Sequence, residues 1–169
     1  MALMDILMKR RSVRSYTGEP VSRMELEKIL TAGLIGPTGK GKKPWRFVVV
    51  TDPEKLEELS GMRKPAPAAF KTAGAAIAVF GDPGVSDTWV EDCSIAMENM
   101  HVMADDLGLG SVWIQSRLRE ANNGGASSDY ATARCWGSRT ARGLGRCCSW
   151  AASTATQPII PRPMLTGRL

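Results

Sequence analysis

Thr88 to Gln115, "TWVEDCSIAMENMHVMADDLGLGSVWIQ", is the longest periodic stretch of the chain and the one from which the fold follows. Trp89, Cys93, Ala96, Met97, Met100, Met103, Ala104 and Leu107 recur at helical spacing and share one wide apolar face, which predicts an amphipathic helix. Gly108 is its natural stop, because a glycine past the last turn takes the left-handed conformation without a steric penalty. "SVWIQ" then reads as a short strand. Glu91, Asp92, Asp105 and Asp106 are expected on the polar face of the helix, and His101 as a packed or half-exposed structural residue.

The upstream elements fit the same plan. Leu3, Ile6 and Leu7 predict a short helix from Ala2 to about Lys9. Ser22 and Glu25 have the spacing of a capping box, in which each side chain bonds the other's backbone N–H, and Leu26, Ile29 and Leu30 form the buried stripe of a helix ending near Gly33. "WRFVVVT" reads as a buried strand, Asp52 and Pro53 open a helix through Leu59, and "AGAAIAVFGD" is a second strand stopped by Gly81 and Pro83. The order helix, helix, strand, helix, strand, long helix, strand is α+β, with helices too unevenly distributed for a doubly wound sheet.

A chain of 169 residues with 43% hydrophobic content can bury a one-domain core without metal or disulfide staples. The net charge of +5 is a property of the tail: the stretch from Tyr130 onward holds six of the 22 Lys and Arg residues and none of the 17 acids. The rest of the chain is nearly balanced, so neither nucleic acid nor a membrane surface is expected as a partner. "MALMDILMKRR" has an acid at Asp5 and no unbroken apolar run, so it resembles neither a signal peptide nor a membrane span, and a cytoplasmic protein is expected. The four cysteines show no CxxC and no His partner at metal-ligand spacing, so no metal is assigned.

Two basic motifs bear on chemistry. "GPTGKGKK", Gly36 to Lys43, has the GxxxxGK spacing of a phosphate-binding loop. It puts Lys43 where a hydroxyl must meet magnesium, follows a helix rather than a strand, and leads through Pro44 into a strand, so no helix N-terminus faces a phosphate. "RRSVR", Arg10 to Arg14, supplies three guanidiniums and a hydroxyl, a donor set suited to phosphate. On its own it reads more simply as a solvated basic run favoured by the helix dipole.

In chain order, "RRSVRSY", the "GPT" loop running into "KPWRFVVVT", the helix containing "WVEDCSIAMEN", and "LGLGSVWIQ" resemble the nitroreductase family of flavin enzymes, over about Asp5 to Arg119. The resemblance implies an α+β fold of three layers, a central mixed sheet flanked by helices, with FMN at a homodimer interface. It implies that Arg10, Arg11, Ser12 and Arg14 hold the phosphate, ribityl chain and pyrimidine edge of FMN. Pro37, Thr38 and Gly39 match the loop that the partner subunit lays over the cofactor, with Lys43 where glutamine is often found; Trp113, Ile114 and Gln115 match the strand end beside the isoalloxazine ring. An asparagine common in the family near Lys40 or Gly41 is missing here. The implied activity passes hydride from NADH or NADPH through FMN to a small-molecule electron acceptor such as a nitroaromatic or quinone. That chemistry belongs to the cofactor and obliges no side-chain acid or base, so no catalytic residue is assigned. The alternative is a non-catalytic flavin binder, or an inactive product lacking the family's last strand.

The tail departs from the family. Where a helix, a turn and a last apolar strand are expected, it is rich in Arg, Cys and Trp. Arg134 to Thr140, "RCWGSRT", has codons that, read from each third base, permit Leu-Leu-Gly-Ile-Pro-Asp, and Arg146 to Ala151, "RCCSWA", permits Leu-Leu-Leu-Leu-Gly. The chain is therefore divided into a flavin-binding domain over 1–127, incomplete at its C-terminal end, and an atypical tail over 128–169 that reads as a shifted frame, with low stability or aggregation expected.

Overall fold

The computed structural model describes residues 2–65 and 67–122 with their side chains and 146–155 as strand backbone. In chain order the elements are α1 (Leu3–Lys9), α2 (Arg23–Leu34), β1 (Trp45–Val50), α3 (Pro53–Ser60), β2 (Ala75–Gly81), α4 (Trp89–Asp106), β3 (Leu109–Gln115) and β4 (Arg146–Ala155). Short 3-10 turns lie at Gly39–Gly41 and Ala68–Lys71.

Local chemistry sets the boundaries. The capping box forms as the spacing predicts: Glu25 N–H donates to Ser22 Oγ at 3.3 Å and Ser22 N–H donates to Glu25 Oε2 at 2.9 Å. Asp52 caps α3 by accepting from Glu54 N–H at 3.0 Å, with Pro53 in the first turn. Gly108 follows the last turn of α4 at φ 77, and its N–H donates to Asp105 O at 2.9 Å.

The strands form one sheet in the order β1-β2-β4-β3. All three ladders are antiparallel, and β2 meets β4 with a register shift between Val79 and Phe80. The sheet expected to be mixed is thus antiparallel through its body; among the described residues its parallel pairing is the bridge of Ser12 with Ser111. β2 is buried along its whole length. Its alternate side chains enter two cores, Ala76, Ala78 and Phe80 packing with Leu56, Leu59 and Phe70, and Ala75, Ile77 and Val79 with Ile29, Met97 and Met100. The sheet therefore lies between α3 with its following turn on one face and α2 with α4 on the other, which is the three-layer arrangement. α2 and α4 pack closely: Asn99 Nδ2 donates to Ala32 O at 3.2 Å, and a Cβ on Gly33 would lie 3.0 Å from Met100.

β4 falls in the tail. The division at 127/128 lies outside the described residues, as do Arg134 to Thr140. The backbone of Arg146–Ala155, which includes the "RCCSWA" stretch, pairs on both sides and separates β2 from β3. Backbone N–H and C=O groups can complete a ladder whatever side chains they carry.

Candidate functional site

The arginine segment is fixed along β3. Arg10 closes α1, its N–H donating to Ile6 O at 2.8 Å. The chain then runs extended beside β3, with Val13 N–H donating to Ser111 O at 2.9 Å. Val13 sits over Gly110, where an added Cβ would come within 3.0 Å of three Val13 side-chain atoms, so only glycine lets the two backbones approach this closely. Buried Tyr16 anchors the far end: its hydroxyl donates to Val13 O at 2.7 Å, and its N–H donates to Thr72 Oγ1 at 3.1 Å. Burial pushes the phenol's pKa up and keeps it a neutral donor. From this rigid segment Ser12 and Arg14 project exposed, while Arg10 and Arg11 are half-buried. Arg10 Nε lies 3.6 Å from Glu98 Oε1 on α4.

Below the segment, α4 contributes buried polar groups. His101 Nδ1 and Ser111 Oγ form a 2.7 Å hydrogen bond, and the imidazole stacks on Trp113 at 6.4 Å between ring centroids. Burial, helped by the Arg10 charge, lowers the His101 pKa to about 4, so the ring is neutral at pH 7. Asp105 is also buried; desolvation raises its pKa, opposed by the charges of Arg10, Lys9 and Arg11. His101 Nε2 and Asp105 Oδ2 have no hydrogen-bond partner among the described residues. At the end of β3, Trp113 Nε1 donates to Gln115 Oε1 at 2.9 Å and Gln115 Nε2 donates to Arg117 O at 3.0 Å. The Ile114 side chain is buried in the core on the α3 face, which leaves its backbone as what it offers a ligand.

The loop from Pro37 to Lys43 stands at the other end of α4. Pro37 and Lys43 are exposed, and Thr38 and Gly39 half-buried. Gly39 N–H donates to Asp92 Oδ1 at 2.8 Å, and Lys43 N–H donates to Thr38 Oγ1 at 3.3 Å. Lys40, Gly41 and Lys43 all have positive φ, at 56, 69 and 49. At ~1.5 Å rise per residue, Asp92 stands roughly 14 Å from His101 along α4 and roughly 20 Å from Asp105. Arg10 to Arg14 and the start of β3 are thus brought together, with Trp113 joined to them through His101. The Pro37–Lys43 loop of the same chain is held apart from them.

Asp92 and Asp105 correct the sequence reading: both acids were expected on the polar helix face, yet they are buried, at 2% and 6% exposure, while His101, expected packed or half-exposed, is packed at 2%. Asp92 is buried because the loop and the turn before α4 fold over it and supply its donors. Asp105 and His101 are buried because the arginine segment crosses this end of the helix. The sequence signal that could have found Asp92 is its place in the first turn of α4, close behind Ser86 and Thr88, hydroxyl donors for a carboxylate.

No helix among the described residues is long and apolar enough to cross a membrane. A sequence model of the Nitroreductase family matches residues 7–87. A protein of Archaeoglobus fulgidus provisionally named as an NADH dehydrogenase/NAD(P)H nitroreductase is 41% identical over 120 residues, covering 66% of each chain. Another so named, from Methanothermobacter thermautotrophicus, is 38% identical over 116 residues, 67% of this chain and 60% of that one. The chain thus spans 66% and 60% of the length of these two relatives. Among solved structures, an FMN-dependent nitroreductase from Clostridium difficile R20291 superposes with a TM-score of 0.81 at 33% identity, over 92% of this chain and 88% of that one. Sequence match and superposition agree with the layered α+β architecture, and the chain belongs to the nitroreductase family.

Proposed function

We propose that the protein is a homodimeric, FMN-dependent oxidoreductase that passes hydride from NADH or NADPH through the flavin to a small electron acceptor such as a nitroaromatic or quinone, in the cytoplasm. The observation that carries this reading is the segment Arg10–Arg14, fixed along β3 so that exposed Arg14 and Ser12 and half-buried Arg10 and Arg11 offer donors beside a strand ending in Trp113, Ile114 and Gln115. That donor set fits FMN: guanidiniums and a hydroxyl for the phosphate and the polar edge of the ring, and an aromatic side chain with strand backbone for its apolar body.

FMN supplies the redox step when bound, by accepting hydride from the nicotinamide and giving the electrons to the second substrate. The chain's own part is to hold the phosphate and ring edge, with Arg10 already charge-matched by Glu98 and therefore positioned before any ligand arrives. No side chain of the chain is required to move a proton, and none is given a catalytic role.

The homodimer is supported by the separation along α4. A site that uses both the arginine segment and Pro37, Thr38, Gly39 and Lys43 needs the loop of a second copy. Apolar side chains left in solvent agree with this: Leu3, Met4, Leu7 and Met8 on α1, Leu34 and Ile35 at the end of α2, and Ile95 on α4 are exposed. The out-of-frame origin of 128–169 is retained as part of the proposal. The frame shifted over Arg146–Ala151 restores an apolar strand where β4 lies beside fully buried β2, a position that ordinarily selects apolar residues.

The test is the colour of the purified protein and its response to reductant. Yellow protein that NADPH or NADH bleaches and a nitroaromatic recolours, eluting as a dimer, supports the enzyme. Yellow protein that neither nucleotide bleaches supports a flavin binder only. Protein that shows no saturable flavin quenching, even when the in-frame C-terminal segment is restored, refutes the reading.

A further inference from the structure

The Asp92 side chain is buried with no assigned task, and its three donors come from two segments. Oδ1 accepts from Gly39 N–H at 2.8 Å; Oδ2 accepts from Thr88 Oγ1 at 3.1 Å and Ser86 Oγ at 3.3 Å. The Ser86 and Thr88 hydroxyls are themselves 3.0 Å apart, and the acid sits in the first turn of α4, where the helix dipole favours negative charge. A carboxylate this buried is tolerated only because hydrogen bonds replace its water. One of those bonds is the tie between α4 and the Pro37–Lys43 loop.

That loop needs a tie. Lys40 and Lys43 adopt left-handed backbone at φ 56 and φ 49, a conformation that non-glycine residues hold only when surroundings over-determine it. Within the loop the restraints are Gly41 N–H to Thr38 O at 3.1 Å, Lys42 N–H to Gly39 O at 3.2 Å and Lys43 N–H to Thr38 Oγ1 at 3.3 Å. These shape the loop without fixing it to the body. The Asp92 bond does fix it, and its donor must be glycine, because a Cβ at position 39 would run into Thr88 Oγ1.

We infer that Asp92 is a positioning residue: by clamping Gly39 to the start of α4 it sets the pose of the Pro37–Lys43 loop, and through that pose the affinity for the cofactor that the loop covers in the partner subunit. The second half of this inference rests on the flavin reading above; the first half does not. Asp92 touches no reacting atom and acts through Gly39.

The experiment uses the full chain and two variants, with two readouts. Asp92→Ala removes the acceptor; Gly39→Ala opens the same contact from the loop side without emptying a buried position, and serves where Asp92→Ala does not fold. Trypsin cleaves after Lys40 and Lys42 in the loop, both exposed, but not after Lys43, which precedes Pro44; cleavage after Lys55 in α3 serves as the control on the far face of the sheet. Each folded variant is expected to raise the loop cleavage rate at least 10-fold relative to the control site, whereas a general loss of stability raises both together. FMN titration, read by flavin fluorescence quenching, is expected to show a Kd about 10-fold weaker, with the stoichiometry unchanged. Unchanged loop-to-control cleavage in a folded variant overturns the clamp, and faster loop cleavage with an unchanged Kd overturns its role in cofactor affinity. A wild-type chain that takes up no FMN defeats the flavin reading and the affinity half together, and proteolysis then decides the clamp alone.

Discussion

Acidification is expected to destabilise this protein through one imidazole. His101 is neutral, buried and bonded to Ser111 in the folded state, with its pKa lowered to about 4 from 6.5. Above pH 6.5 the ring is unprotonated in both states and stability is unaffected. As the pH falls from 6.5 to 4, the unfolded chain binds a proton that the folded chain refuses, and stability is lost at up to ~1.4 kcal/mol per pH unit. The loss is roughly 2 kcal/mol by pH 5 and about 3 kcal/mol when complete, a large fraction of the 5–15 kcal/mol typical of a domain. Asp105 acts in the opposite sense: its raised pKa means the folded state binds the proton more readily, so its own contribution to stability grows as pH falls. A single pH series therefore mixes the two. Urea unfolding of wild type and His101→Asn, each at pH 7.5 and pH 5, separates them, since asparagine reaches Ser111 from the Nδ1 position and does not titrate. Wild type should lose about 2 kcal/mol more than the variant between the two pH values. Equal losses refute the assignment of the acid sensitivity to His101.

Other substitutions probe the frame around the site. Gly110→Ala should cost ~1–3 kcal/mol by forcing a Cβ onto Val13, lowering Tm. Pairing it with Val13→Ala should recover part of that loss, whereas strictly additive losses in thermal unfolding speak against the contact. Lys40→Asn should raise stability by roughly 0.5–1 kcal/mol, because asparagine accepts the left-handed backbone that lysine holds at φ 56, ψ 22; a fall in Tm counts against strain at this position. A gene in which the frame is restored between Ser127 and Arg134 should yield protein with higher Tm and less aggregation than the present chain, as read by thermal scanning and light scattering, and equal behaviour argues for an in-frame tail.

The periodic and punctuated parts of the chain were legible in sequence because each boundary has a local cause. Ser22 with Glu25, Asp52 with Pro53, and Gly108 act within a few residues of themselves, so the helices they delimit begin and end about where the pattern puts them. The arginine segment was legible as chemistry, but its support was not: nothing local announces that Tyr16 reaches back to Val13 or that Gly110 makes room for Val13. α4 shows the limit most plainly. At ~100° per residue its buried positions, from Asp92 round to Asp105, cover roughly 220° of the circumference. A stripe of apolar residues marks the middle of that arc, and the polar residues at its edges are buried by loops whose approach is set by the tertiary fold. The strand at 146–155 was missed because its side chains follow no strand pattern.

The position of that strand has a consequence for biogenesis. Because β4 inserts between β2 and β3, the two halves of the sheet each present an open hydrogen-bonding margin while the nascent chain is still being made. Strands β1 to β3 leave the ribosome before the one that joins them, so the folding intermediate carries a slot shaped for any extended peptide. A lesion late in the message therefore acts at the centre of the molecule, and chaperone demand should track how quickly that slot is closed.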